Sequence, residues 1–178
     1  MACISKLANA IAYDCDSGAT GLKDAMIINK GDVASFGLNS PNKLVETLVL
    51  NAGATAYKID TVKRSLVVSS ALKINEGAPN AYSHTATLTV TTADSPALRS
   101  MMDAFANGSF IILTRTNNNE TTCYGLYYGL SATSSDRSSH DNGAWTTITL
   151  ETPENVIGED SLAVANSVYT ALYAAAVG

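Results

Sequence analysis

Residues 82–116 read YSHTATLTVTTADSPALRSMMDAFANGSFIILTRT. From Tyr82 to Thr91 the chain alternates strictly. Tyr82, His84, Ala86, Leu88 and Val90 fall on one side; Ser83, Thr85, Thr87, Thr89 and Thr91 fall on the other. Period two with one apolar and one polar row is the pattern of a half-buried antiparallel strand. Threonine is β-branched, so it favours a strand while keeping the outer row polar. The alternation breaks at Ser95-Pro96, an N-cap followed by proline at the first helical position. Leu98, Met101, Met102 and Phe105 then recur at i, i+3, i+4 and i+7, and Asn107-Gly108 is a stop signal. A helix of about three turns over 95–107 is marginal alone and needs a sheet to lie on.

Outward from this stretch the remaining segments read mainly as strands. LKDAMIINKGDVASFGL (22–38) is a strand interrupted at Lys30-Gly31-Asp32, and LVETLVLNAGATAYKID (44–60) is a second strand region with a bend at Gly53. SLVVSSALKIN (65–75) precedes the threonine strand. SFIILTRT (109–116), the Asn117–Asn119 turn and TCYGLYYGLSAT (122–133) form a hairpin. In its second arm Tyr124, Leu126, Tyr128, Leu130 and Ala132 share a face. Gly125 and Gly129 lie on the other, where a second backbone can approach closely. SSDRSSHDNG (134–143) reads as a long polar loop and AWTTITLETPE (144–154) as the last clear strand. The tail SLAVANSVYTALYAAAV (161–177) fits a helix with Leu162, Ala165, Val168 and Tyr169 on one side, or an extended arm. The expected architecture is mainly β within the α+β class. It is an antiparallel sandwich or barrel of about seven strands with one short flanking helix over 95–107. Residues 1–178 are expected to form one domain, with 1–21 and 155–178 as candidate terminal arms.

Composition narrows the function. Only 15% of the 178 residues are charged, against about a quarter in ordinary soluble domains, and the net charge is −5. Small polar residues fill the gap. An acidic chain without clustered Lys and Arg is a poor nucleic-acid clamp. Low charge suits a surface hidden in an assembly. The three cysteines, Cys3, Cys15 and Cys123, are odd in number and lack C-x-x-C spacing, so they make neither a disulfide framework nor a zinc site. MACISKLANAIAYDC (1–15) is too short and too polar for a signal peptide or a membrane span, which points to a reducing cytosol. The sequons at Asn107 and Asn119 are then coincidental.

Candidate chemistry is sparse. Asp136, Arg137, His140 and Asp141 bring acid/base and ligand types into one loop, but a solvated tip of turn formers is the simpler reading. Asp14-Cys15-Asp16 offers a D-x-D without the remainder of a calcium loop. His84 lies on the apolar side of its strand, as a hydrogen-bonded core histidine does. Tyr124, Tyr127, Tyr128 and Trp145 are the residues from which a sugar-stacking platform could be built. No P-loop, G-x-G-x-x-G, G-x-S-x-G or H-E-x-x-H occurs. No catalytic, cofactor-binding or metal residue is assigned, and no enzyme is expected.

The order of a threonine-rich strand, SPALRSMMDAFANG, the hairpin SFIILTRTNNNETTCYGLYYGL and a long loop returning at GAWTTITLETPE resembles the tail tube proteins of tailed bacteriophages and related virion proteins. The likeness covers residues 82–152, under half of the chain, and MACISK also resembles the start of phage structural proteins. It implies a subunit of rings, commonly hexameric, that stack around a DNA-conducting lumen. Neighbouring sheets join and the terminal arms lock successive rings. The partners it implies are copies of the chain and other tail or head–tail proteins, with DNA only as transient cargo. It implies no membrane, no cofactor and no metal, and a location in the virion, assembled in the bacterial cytoplasm. A head-decoration or connector protein and a carbohydrate-binding β-sandwich are the alternative readings.

Overall fold

The computed structural model describes residues 21–39, 43–61, 65–77, 79–90, 96–137, 145–154 and 156–178. Among these residues eleven strands and two α-helices follow one another. β1 (Leu22–Asn29), a 3-10 turn at Lys30–Asp32, β2 (Val33–Asn39), β3 (Leu44–Leu50) and β4 (Tyr57–Ile59) come first. β5 (Leu66–Lys73) and β6 (Ala81–Val90) form a hairpin, and α1 (Pro96–Asn107) follows. The rest is β7 (Ser109–Thr116), β8 (Thr121–Tyr124), β9 (Leu130–Arg137), β10 (Thr146–Glu151), β11 (Leu162–Val164) and α2 (Asn166–Ala175).

All strands belong to one sheet with the order β2-β3-β11-β8-β7-β9-β10-β6-β5, and β1 branches from β7 with β4 on its far side. The branch arises because β7 is bordered by two strands on one side. Ser109 and Phe110 pair with β9, and Ile112–Arg115 pair with β8. β1 runs antiparallel along the whole of the other side.

β1 and β7 are apolar on both faces, as the runs AMII and FIIL require. Met26, Ile28, Ile111 and Leu113 enter one core, which α2 closes with Tyr169. Ala25, Ile27, Phe110 and Ile112 enter a second core, against which Met102 and Phe105 of α1 pack. The β1/β7 pair is therefore the wall between two hydrophobic clusters. Each fully buried Leu or Ile side chain in it contributes about 1.5–3 kcal/mol of transfer free energy.

The mainly β character and a flanking helix at Pro96–Asn107 agree with the sequence reading; the seven-stranded antiparallel sandwich or barrel with a single helix does not, since α2 is a second helix. The sheet is open, has eleven strands and is mixed, because β11 pairs with β3 in parallel. The interruption expected at Lys30–Asp32 separates β1 from β2, and the bend expected at Gly53, whose φ is +83°, separates β3 from β4, so each of these segments holds two strands. The second hairpin arm is not continuous. Gly125 and Gly129 adopt φ of +75° and +74°, and Gly129 N–H donates to the Gly125 carbonyl at 2.9 Å. These glycines serve a left-handed turn that ends β8, so the expected common face from Tyr124 to Ala132 is broken. Ser134–Arg137, expected in a loop, are the second half of β9 and pair with β10. The tail divides between strand and helix: Leu162–Val164 fills the gap between β3 and β8, and Asn166–Ala175 is helical.

α1 begins at Pro96, and its proposed cap Ser95 lies outside the described residues. Met102 and Phe105 face the second core and Leu98 is buried, while Met101 is 37% exposed. At Gly108 an added Cβ would lie 2.4 Å from the Phe110 ring and 2.7 Å from the Ala104 carbonyl, so the helix stop also requires a residue without a side chain.

Candidate functional site

The threonine row of β6 lies within a four-stranded antiparallel sheet, β9-β10-β6-β5, whose inner side covers the second core. On its outer side Thr89 stands opposite Thr147, Thr87 opposite Thr149, and Thr85 opposite Glu151. Ser69 of β5 and Ser134 of β9 continue the same rows. Half-exposed hydroxyls therefore cover this surface, with Glu151 and Asp136 as its acidic members.

β5 is the terminal strand of this sheet. It pairs with β6 over eight consecutive residues without a bulge. Thr89 N–H donates to the Ser65 carbonyl at 2.7 Å. Antiparallel alternation then turns the N–H groups of Leu66, Val68, Ser70 and Leu72 away from β6. Among the described residues no strand receives them. Val67, Leu72 and the neighbouring Ile74 are 50%, 52% and 78% exposed. A long, regular edge with apolar side chains and a single lysine, Lys73, is a template for another strand.

On the opposite side of the same sheet, β9 touches β7 only through Leu130 and Ser131. From Ala132 to Arg137 no strand borders its outer side among the described residues, and Thr133–Arg137 are exposed. The edge strands β5 and β9 run in opposite directions, since three antiparallel steps separate them.

Asp24, Arg115 and Tyr169 make the densest polar cluster among the described residues. Arg115 Nη2 donates to Asp24 Oδ2 at 2.5 Å, and Tyr169 donates its hydroxyl proton to Asp24 Oδ1 at 2.6 Å. The Arg115 guanidinium lies 4.9 Å from the Tyr169 ring centroid, and Lys58 Nζ lies 4.9 Å from that of Tyr173. The hydrogen bond to Asp24 raises the Arg115 pKa above its ordinary value. Burial, and then the bond to Asp24, push that of Tyr169 upward. The Asp24 and Arg115 charges pair with each other, so the work of the cluster is to fasten α2 to β1 and β7.

The other singled-out residues are dispersed. His84 is buried, with Nε2 2.8 Å from the Glu159 carbonyl and its ring edge-on to Tyr124 at 5.5 Å. It ties the segment between β10 and β11 to the sheet. Cys123 is buried as a free thiol, and burial raises its pKa. Asp136 and Arg137 lie on β9; His140 and Asp141, like Cys3, Asp14, Cys15 and Asp16, lie outside the described residues. The four aromatics do not converge. Tyr124 is half-buried beside His84, and Tyr127 and Tyr128 lie on the glycine turn. Trp145 precedes β10 at the opposite end of the sheet, about 20 Å away at the usual strand rise. Among the described residues no three His, Cys, Asp or Glu side chains group as metal ligands, and no helix is long and apolar enough to cross a membrane.

No known family, curated protein or solved structure matches the chain. The outward N–H row of β5 and the antiparallel sense of β9 were not legible in the sequence, because both depend on which strands end the sheet. The alternation in β6 and the low charge were the only signals pointing toward them.

Proposed function

We propose that this chain is a structural subunit that assembles with copies of itself, of the kind that forms the tube of a phage tail. The edge of β5 is the observation that carries the reading. It presents four outward N–H groups without a bulge, and exposed Val67 and Leu72 flank them. Pairing with the outer side of β9 in a neighbour joins the two four-stranded sheets in antiparallel sense, the better-bonded arrangement. Repetition of that head-to-tail contact generates a closed ring when the rotation closes. The hydroxyl rows of β6 and β10 then line a continuous surface. Few cations lie on that surface, so a polyanion passing along it is not held. The stacked rings, DNA as cargo and location in a virion belong to the same proposal.

Ser70→Pro tests it. The substitution removes one outward N–H of β5 and leaves the bonds to β6 in place. Sedimentation and negative-stain imaging over a wide concentration range should give rings or tubes for the natural sequence and monomers for Ser70→Pro, with matching circular dichroism. A natural chain that stays monomeric at every concentration refutes the proposal.

A further inference from the structure

A third edge is closed from within. β4 pairs with β1 through Tyr57, Lys58 and Ile59. Its outer side meets residue 177, which forms a parallel bridge to Tyr57. Val177 N–H donates to the Ala56 carbonyl at 3.0 Å, and Lys58 N–H donates to the Val177 carbonyl at 2.8 Å. One residue thus satisfies an outward acceptor and an outward donor of this edge. The contact is chiefly backbone, since the Tyr57 and Val177 side chains are 45% and 55% exposed. α2 holds the segment in reach: Ala176 is buried, and Thr55 Oγ1 donates to the Ala175 carbonyl at 3.4 Å.

We propose that residues 176–178 are an edge guard, an autoinhibitory contact that keeps β4 from pairing with a strand of a second copy. β5, by contrast, has no described covering segment, although both are sheet edges of the same chain. Sheet proteins limit unwanted pairing by covering an edge, and a single bridge supplied in cis does so without adding a strand to the fold. The guard confines association to the remaining edges and sets its geometry.

Val177→Pro tests the guard. Proline removes the N–H that reaches Ala56, and Ala176, at φ −72° and ψ 142°, already has the extended backbone that precedes a proline. The variant is made in the Ser70→Pro background, so that pairing through β5 does not contribute. Deletion of residues 176–178 is the second variant. The deletion removes the carbonyl to which Lys58 N–H donates, and Val177→Pro frees that carbonyl by breaking the bond to Ala56, so amide exchange at Lys58, measured where the variants are monomeric, should speed up by about tenfold or more. Sedimentation should show new concentration-dependent association, and adding Lys58→Pro should suppress it. Unchanged exchange at Lys58 overturns the proposal. So does faster exchange in a chain that stays monomeric, or association that survives Lys58→Pro. If the natural chain proves monomeric, the function reading fails, and the same variants made without Ser70→Pro still decide the guard.

Discussion

Replacing Tyr169 with phenylalanine separates the hydrogen bond that fastens α2 from the packing of its ring. The hydroxyl donates to Asp24 at 2.6 Å, and the ring is fully buried beneath the Arg115 guanidinium. Hydrogen bonds to a charged group contribute about 1.5–3 kcal/mol. Asp24 keeps both of its bonds to Arg115 Nε and its bond to Nη2, so no carboxylate is left unpaired, and the loss belongs at the lower end. Tyr169→Phe should therefore cost about 1.5–2 kcal/mol, which in a domain of this size lowers Tm by about 3–8 °C. Tyr169→Ala also removes the ring from the first core and should cost about 4–6 kcal/mol. Denaturant titration at one fixed protein concentration measures both. The pH dependence adds an independent sign. Burial and the bond to Asp24 hold the folded phenol protonated above its ordinary range. Above about pH 10 the unfolded tyrosine releases its proton while the folded one retains it. The folded state then binds more protons, and stability must fall as pH rises, by at most about 1.4 kcal/mol per pH unit from this group. Tyr169→Phe should show a shallower alkaline limb. Equal stability of Tyr169→Phe and the natural chain, or an unchanged alkaline slope, refutes the assignment.

Other outcomes follow from equally local contacts. Cys123 should resist alkylation near pH 8 in the folded chain and react once denaturant is added, because burial suppresses its thiolate; peptide mass mapping distinguishes it from Cys3 and Cys15. Gly158→Ala should destabilise by about 2 kcal/mol or more, since its Cβ would lie 2.0 Å from the Tyr82 carbonyl oxygen; thermal unfolding checks it. His84→Ala should loosen the segment between β10 and β11, read as faster amide exchange in residues 157–161, through loss of the contact to the Glu159 carbonyl.

Local periodicity carried much of the fold. The alternation from Ser83 to Val90 matched a strand with Ala86 and Leu88 inward, and SFIILTRT occupies β7 residue for residue. The three-turn helix was visible in the stripe of Leu98, Met101, Met102 and Phe105. What could not be read was the fate of short segments. β4 and β11 have three residues each, too few for a period to register, and β11 is defined by the gap it fills between β3 and β8. The glycines at 125 and 129 are compatible with either a strand under close contact or a left-handed turn, and only φ decides. The pair Asp24 and Arg115, 91 residues apart, gave no sequence signal at all, although it anchors α2. Of the assembly surface, the hydroxyl row was visible; the identity of the edges required the strand order.

The placement of β11 bears on how the protein reaches its native state. β3 and β8 do not bond to each other; the short strand at Leu162–Val164 links them, and Tyr169 then seals the cluster beneath. Val45 pairs with Leu38 on one side, but its other edge must wait for Val164, more than a hundred positions later, and a growing nascent chain leaves that edge open until that point is made. Such high contact order slows folding and lengthens the exposure of sticky strands. In the producing cell, chaperone demand should track this interval rather than the final stability.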